Sequence, residues 1–210
     1  MHFQEFISSL TEKLKEPLPG QEAHLKMVPP FRLNSKIQPN EFTRKSAVLI
    51  IFFPYENEIY LPLILRPAYD GVHGGQMAFP GGREEKEDEN LIRTALREAQ
   101  EEVGVKAIDV KIIGQLTEIF IAPSNFYCLP VVGFMNYKPD FFPDAREVDA
   151  IFEVNLKELL DENIVSTQTV KTRGFEFETP CYIIQNRVVW GATAVMIAEL
   201  LEIIKSPKKL

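Results

Sequence analysis

Gly81-Gly82, followed at short range by Arg97-Glu98-Ala99-Gln100-Glu101-Glu102-Val103-Gly104-Val105, is the stretch on which the reading of this chain turns. On a helix advancing about 100° per residue, Glu98, Glu101 and Glu102 fall within an arc of roughly 100°. Ile92, Ala95, Leu96, Ala99 and Val103 form a separate apolar stripe that can seat the helix on a sheet. Three carboxylates on one face repel one another, which costs a purely structural helix stability. A hard divalent cation such as Mg²⁺ removes that cost, because it takes carboxylate oxygens and keeps water for chemistry. Most Glu-rich helix faces are solvated surface. This one lies behind a Phe79-Pro80-Gly81-Gly82 turn with Arg97 directly before the first Glu, and the metal reading is adopted. Arg97 stands four residues before Glu101 and can orient it by ion pairing. The glycine pair suits a tight turn whose bare backbone can approach a metal or a phosphate.

Upstream, Ala47–Phe53 is β-branched or aromatic and Ile59–Leu65 follows a polar turn, so the two predict a hairpin of core strands. A Gly/Pro-rich loop is expected from Pro67 to Gly82. Helical spacing runs from Leu91 to Val103 and stops at Gly104, a suitable C-terminal cap, with Asp88 or Asn90 as the N-cap. The run Glu84–Glu89 reads as a solvated loop. Strand-like segments recur at Val110–Ile121, Cys128–Met135, Ile151–Val154, Asn163–Val170 and Phe175–Ile184, and Ala192–Ile204 closes the chain as a core-packed helix. Phe3, Phe6, Ile7, Leu10 and Leu14 predict an amphipathic N-terminal helix, broken by Pro17, Pro19-Gly20 and Pro29-Pro30 into an irregular lead-in. The division expected is residues 1–45 as helix and lead-in packed on the core, and 46–210 as the main domain. The fold class expected is α/β (α+β), a mixed sheet sandwiched between helices.

The 210 residues suit one domain, and 45% apolar with 25% charged side chains exclude wholesale disorder. A net charge of −7 argues against nucleic acid as the main partner. No apolar run reaches the roughly 18–20 residues of a membrane span. No secretory signal is visible at the start, and Cys128 and Cys181 lack a CxxC spacing, so a cytoplasmic protein with reduced thiols is expected.

The segment Gly81–Val105 resembles the Nudix box, G-x5-E-x7-R-E-U-x-E-E-x-G-U with U aliphatic. Arg97 to Val105 match position by position, with Ala99 as a small U. Asp88 stands where the pattern has its first Glu, and Arg97 lies one residue further on. Upstream, Arg66, Gly75 and Phe79–Gly82 are similar to the additional signature of coenzyme A diphosphatases, although Pro67 and Gly71 replace a small residue and a second Arg. Leu18-Pro19-Gly20 with Lys26-Met27, and Trp190-Gly191-Ala192-Thr193-Ala194, also resemble that branch.

The resemblance implies a Nudix-type fold and a Mg²⁺- or Mn²⁺-dependent hydrolase of a nucleoside diphosphate derivative. Coenzyme A or an acyl-coenzyme A leads, giving 3′-phosphoadenosine 5′-phosphate and 4′-phosphopantetheine. The alternatives are ADP-ribose or NADH as substrate, or a non-catalytic nucleotide-sensing module. Metal ligation is expected at Glu98, Glu101, Glu102 and Gly81, and catalysis at Glu98, Glu101 and the loop acid Glu147, with Glu118 a weaker candidate. Substrate contacts are expected from Arg66, Gly81, Gly82, His73 and Arg97, since an Arg fork matches a phosphate. A solvated Glu147, a loop-structural His73 and an Arg66 paired to the acidic loop are the competing structural readings. Trp190 is expected to pack the last helix; His2 and His24 carry no signal. A homodimer is in keeping with the family likeness.

Overall fold

The computed structural model describes residues 2–33, 37–68, 73–172 and 174–207. In chain order the helices and strands are α1 (Phe3–Lys13), α2 (Gln21–His24), β1 (Arg44–Tyr55), β2 (Glu58–Leu65), β3 (Met77–Ala78), β4 (Gly81–Arg83), α3 (Leu91–Val103), β5 (Lys111–Gln115), β6 (Ile119–Ile121), β7 (Phe126–Phe134), β8 (Ala150–Asn155), α4 (Leu156–Leu160), β9 (Val165–Thr172), β10 (Phe175–Ile184), β11 (Arg187–Val189) and α5 (Gly191–Lys205).

β1 organises the molecule. It runs parallel to β7 from Arg44↔Phe126 to Phe52↔Phe134 and antiparallel to β2 and β4. β3 and β8 extend the sheet from β2, and β5 and β6 pair with β7. β1 is apolar at nearly every position because both of its faces are covered. Ala47, Leu49, Ile51 and Phe53 join Ala95, Leu96, Ala99 and Val103 of α3 in one core layer. Ile50 and Phe52 join Phe6 and Leu10 of α1 and Ala194, Ile197 and Leu201 of α5 in the other. The mixed sheet between helices is therefore as expected, and the N-terminal helix shares the main core. β9, β10 and β11 form a separate antiparallel sheet.

The hairpin, α3 and the terminal helix fall where the sequence placed them. Three readings are corrected. The Pro67–Gly82 loop contains β3 and β4, short strands recruited by pairing with β2 and β1 rather than by intrinsic propensity. Val110–Ile121 is two strands, interrupted between Gln115 and Ile119. Asn163 sits in a 3₁₀ turn before β9, where Asp161 accepts from its backbone N–H. Gly71 lies outside the described residues. Among the described residues no helix is long and apolar enough to cross a membrane.

Candidate active site

The site forms where α3 meets the β4 turn. Asn90 caps α3 by accepting from the Ile92 and Arg93 N–H groups, and Gly104 ends it with φ of +75°, a conformation that favours glycine. With the apolar stripe buried against β1, Glu98 and Glu102, one turn apart, are swung under β4. Both are buried, Glu102 at 1% exposure.

The glycine pair is required by crowding. A Cβ on Gly82 would overlap the Glu98 carboxylate, and one on Gly81 would overlap the Ala47 carbonyl and Val48 Cα across the β1–β4 ladder. The Gly81 N–H donates to Glu102 Oε2 at 2.7 Å. Arg66 Nη2 donates to the Gly81 carbonyl at 2.7 Å and lies 3.4 Å from Glu102 Oε1. Arg66 is thus paired to Glu102, not to the acidic loop. Glu102 Oε1 has no hydrogen-bond partner among the described residues.

Glu147 completes the cluster. One carboxylate oxygen from each of Glu98, Glu102 and Glu147 lies within 4.8 Å of the others. The loop bearing Glu147 hangs from the end of α3, where the Phe142 N–H donates to the Val103 carbonyl and the Asp144 N–H to the Glu102 carbonyl, each at 3.0 Å. Burial above all raises the Glu102 carboxyl to about 7, with Arg66 and the Gly81 N–H opposing and the Glu98 and Glu147 charges contributing to the rise. Glu98 is raised as well, chiefly by burial, with Arg97 opposing. Three hard oxygen donors, one of them orphaned and two reluctant to ionise together, fit a divalent cation.

Glu101 is not in this trio. Its side chain is 58% exposed and pairs with Arg97 Nη1 at 2.9 Å. Arg97 also donates to Glu98 Oε1 at 2.9 Å, to the Arg83 carbonyl at 2.9 Å, and twice to Asp88 at 3.1 and 2.9 Å. Its fork therefore ties α3 to the preceding loop. Asp88, which the sequence left as a cap or a solvated acid, is held down at about 2 by the Arg97 hydrogen bonds, with burial opposing. Glu118 lies between β5 and β6, outside the trio.

Arg66, His73, Gly81 and Gly82 line one cavity of about 560 Å³, together with Arg83 and Trp190. That volume is in the range of small-molecule sites. Trp190 is the residue before α5, and its ring meets Phe177 edge-on at 5.8 Å.

The buried acid Glu199 went unread. Fully buried on α5, it accepts from the Gly20 N–H at 3.1 Å and Thr117 Oγ1 at 2.6 Å, and its Oε2 meets His24 Nε2 at 2.8 Å. The available signal was Glu199 set among apolar neighbours on both sides in the closing helix, where the helix's other acid, Glu202, lies nearer its end.

A family model of the NUDIX domain matches residues 43–173. Two curated relatives, each described as an uncharacterized Nudix hydrolase NudL, come from Yersinia pestis (strain Pestoides F) and Yersinia pseudotuberculosis serotype O:1b (strain IP 31758). Each is 32% identical over 158 residues, covering 75% of this chain and 79% of the relative. A solved binary complex of a C. elegans Ap4A hydrolase aligns with a TM-score of 0.47 and 16% identity, over 56% of this chain and 83% of that one.

Proposed function

Since the chain belongs to the Nudix superfamily, we propose that it hydrolyses the diphosphate bond of coenzyme A or an acyl-coenzyme A, releasing 3′-phosphoadenosine 5′-phosphate and 4′-phosphopantetheine. The observation that carries the hydrolytic reading is the buried trio of Glu98, Glu102 and Glu147 beneath the Gly81-Gly82 turn, with Glu102 Oε1 lacking a hydrogen bond. The coenzyme A assignment rests on the upstream likeness at Arg66, Gly75 and Phe79–Gly82.

Glu98 and Glu102 would hold Mg²⁺ or Mn²⁺, with Glu147 closing the set from its loop. A dication bound there neutralises diphosphate oxygens and acidifies water. Arg66, already against Gly81 and Glu102, faces the same cavity and orients the diphosphate beside them. Arg97 holds Glu98 and Glu101 in place from behind. Glu147 lies on the loop side of the trio and is the acid best placed to take a proton from attacking water, whose oxygen joins phosphorus as the bridging P–O bond breaks.

The test is a panel of coenzyme A, ADP-ribose and NADH with Mg²⁺ or Mn²⁺, products identified by mass. Phosphopantetheine from coenzyme A at the highest kcat/KM supports the proposal. Faster cleavage of ADP-ribose or NADH replaces the substrate and keeps the chemistry. Binding with no cleavage of any member moves the chain to the nucleotide-sensing modules.

A further inference from the structure

The cavity wall comes from two parts of the sequence. Arg66 and the β4 turn lie within residues 43–173, the part that matches the NUDIX domain. Phe31 and Arg32 precede that part, and Phe175, Phe177 and Trp190 follow it, yet all line the same cavity. Phe31 meets Phe177 edge-on at 4.9 Å, and Phe177 meets Trp190 at 5.8 Å, so an aromatic chain joins the two flanks. The flanks are braced independently by Glu199 of α5, which grips Gly20 and His24 in the lead-in.

Arg32 differs from the cavity's other half-buried cation, Arg66. Arg66 is engaged by Glu102 and the Gly81 carbonyl. The half-buried Arg32 guanidinium lies over the Phe31 ring, 5.5 Å from its centroid, and no carboxylate among the described residues pairs with it. A partly desolvated guanidinium without a counter-ion is a receptor for an anion, and its planar fork matches phosphate oxygens two at a time. Burial lowers its pKa, consistent with a charge left uncompensated. Arg32 comes from the part of the chain before residue 43, whereas the trio and its partner Arg66 lie within residues 43–173, so the cavity carries a second cation beyond the one beside the carboxylates.

We infer that Arg32 is a specificity residue that binds a phosphate monoester carried by the substrate in addition to its diphosphate, beside an aromatic wall of Phe31, Phe177 and Trp190 that receives an attached ring. This rests on the proposed reading only in taking the scissile group to be a diphosphate at the carboxylate trio. A phosphate monoester carries close to two negative charges at neutral pH, and its pairing with a half-buried Arg is stronger than one in open water.

The experiment is calorimetric binding of adenosine 3′,5′-bisphosphate and of AMP to the full chain, to Arg32→Ala and to Arg32→Gln, the last as a variant that keeps the polar stem. The two nucleotides differ by one phosphate monoester, and neither needs to be cleaved, so failure of the hydrolytic reading appears in turnover and not here. The expected result is a preference of about tenfold or more for the bisphosphate in the native chain. Both variants should lose it by weakening the bisphosphate and not AMP. Equal affinities in the native chain, no binding of the bisphosphate, or equal weakening of both nucleotides in the variants overturns the inference.

Discussion

The main-chain carbonyl of Glu102 accepts a hydrogen bond from the Asp144 N–H at 3.0 Å, so the residue whose carboxylate sits deepest in the site also suspends the loop that brings Glu147 to it. Glu147 N–H in turn donates to the Asp144 carbonyl at 2.9 Å, and the neighbouring Val148 is buried. A loop acid is thereby held by backbone contacts that side-chain substitution does not remove. Variants of the trio should accordingly report on chemistry more than on folding.

Glu102→Gln keeps the shape of the side chain and removes its charge. Metal-dependent turnover should fall by about 100-fold or more, the scale of losing a direct participant. The melting temperature in EDTA should hold or rise, because burial already disfavours the charged form. Thermal melts with and without Mg²⁺ check this: the native chain should be stabilised by the ion and the variant should not. A melting point that drops several degrees in EDTA would instead make Glu102 a structural partner of Arg66.

The two glycines should fail differently. A Cβ at Gly81 meets the backbone of β1, which cannot give way, so Gly81→Ala should destabilise by on the order of 3 kcal/mol or more. A Cβ at Gly82 meets the end of the Glu98 side chain, which can swing aside. Gly82→Ala should therefore lose about tenfold or more in activity while unfolding near the native midpoint. Urea midpoints and initial rates on the same samples separate the two outcomes.

Asp88 gives the fold a dependence on acid. Its folded pKa, about 2, lies below the ordinary aspartate value of 3.8, so the Asp88–Arg97 contact stabilises the protein above about pH 4 and is lost as pH falls towards 2. Asp88→Asn should cost about 1–2 kcal/mol at pH 7. The gap from the native chain should close below pH 4. A gap that stays constant down to pH 3 would contradict the assignment.

Glu199→Ala leaves His24, Thr117 and the Gly20 N–H without their shared acceptor, and should destabilise by about 3–5 kcal/mol. Limited proteolysis should show cleavage within the lead-in first. Glu199→Gln, which retains an acceptor oxygen, should lie between the two.

What could be read in advance followed from periodicity and caps. The apolar stripe from Ile92 to Val103, with Gly104 after it, fixed α3 to the residue. The unbroken apolar run Ala47–Phe53 marked a strand covered on both faces. The membership of the cluster was only partly legible. A helical wheel places Glu98, Glu101 and Glu102 on one arc, but residues 98 and 102 stack one above the other and Glu101 lies at the edge, where Arg97 draws it outward. Glu147 was visible as a loop acid; its approach depends on hydrogen bonds to the last carbonyls of α3, which leave no trace in composition. β3 and β4 are too short to have a period, and Glu199 is explained only by partners more than eighty residues away in Thr117 and the lead-in.

The aromatic wall joining Phe31 to Trp190 carries a consequence for how such a protein can diverge. On the proposed reading, cutting and choosing are written in different stretches of the gene, because Phe31 and Trp190 lie outside residues 43–173. Drift at either end of the chain can retarget the enzyme towards a new metabolite while the hydrolytic apparatus on α3 and β4 stays as it is.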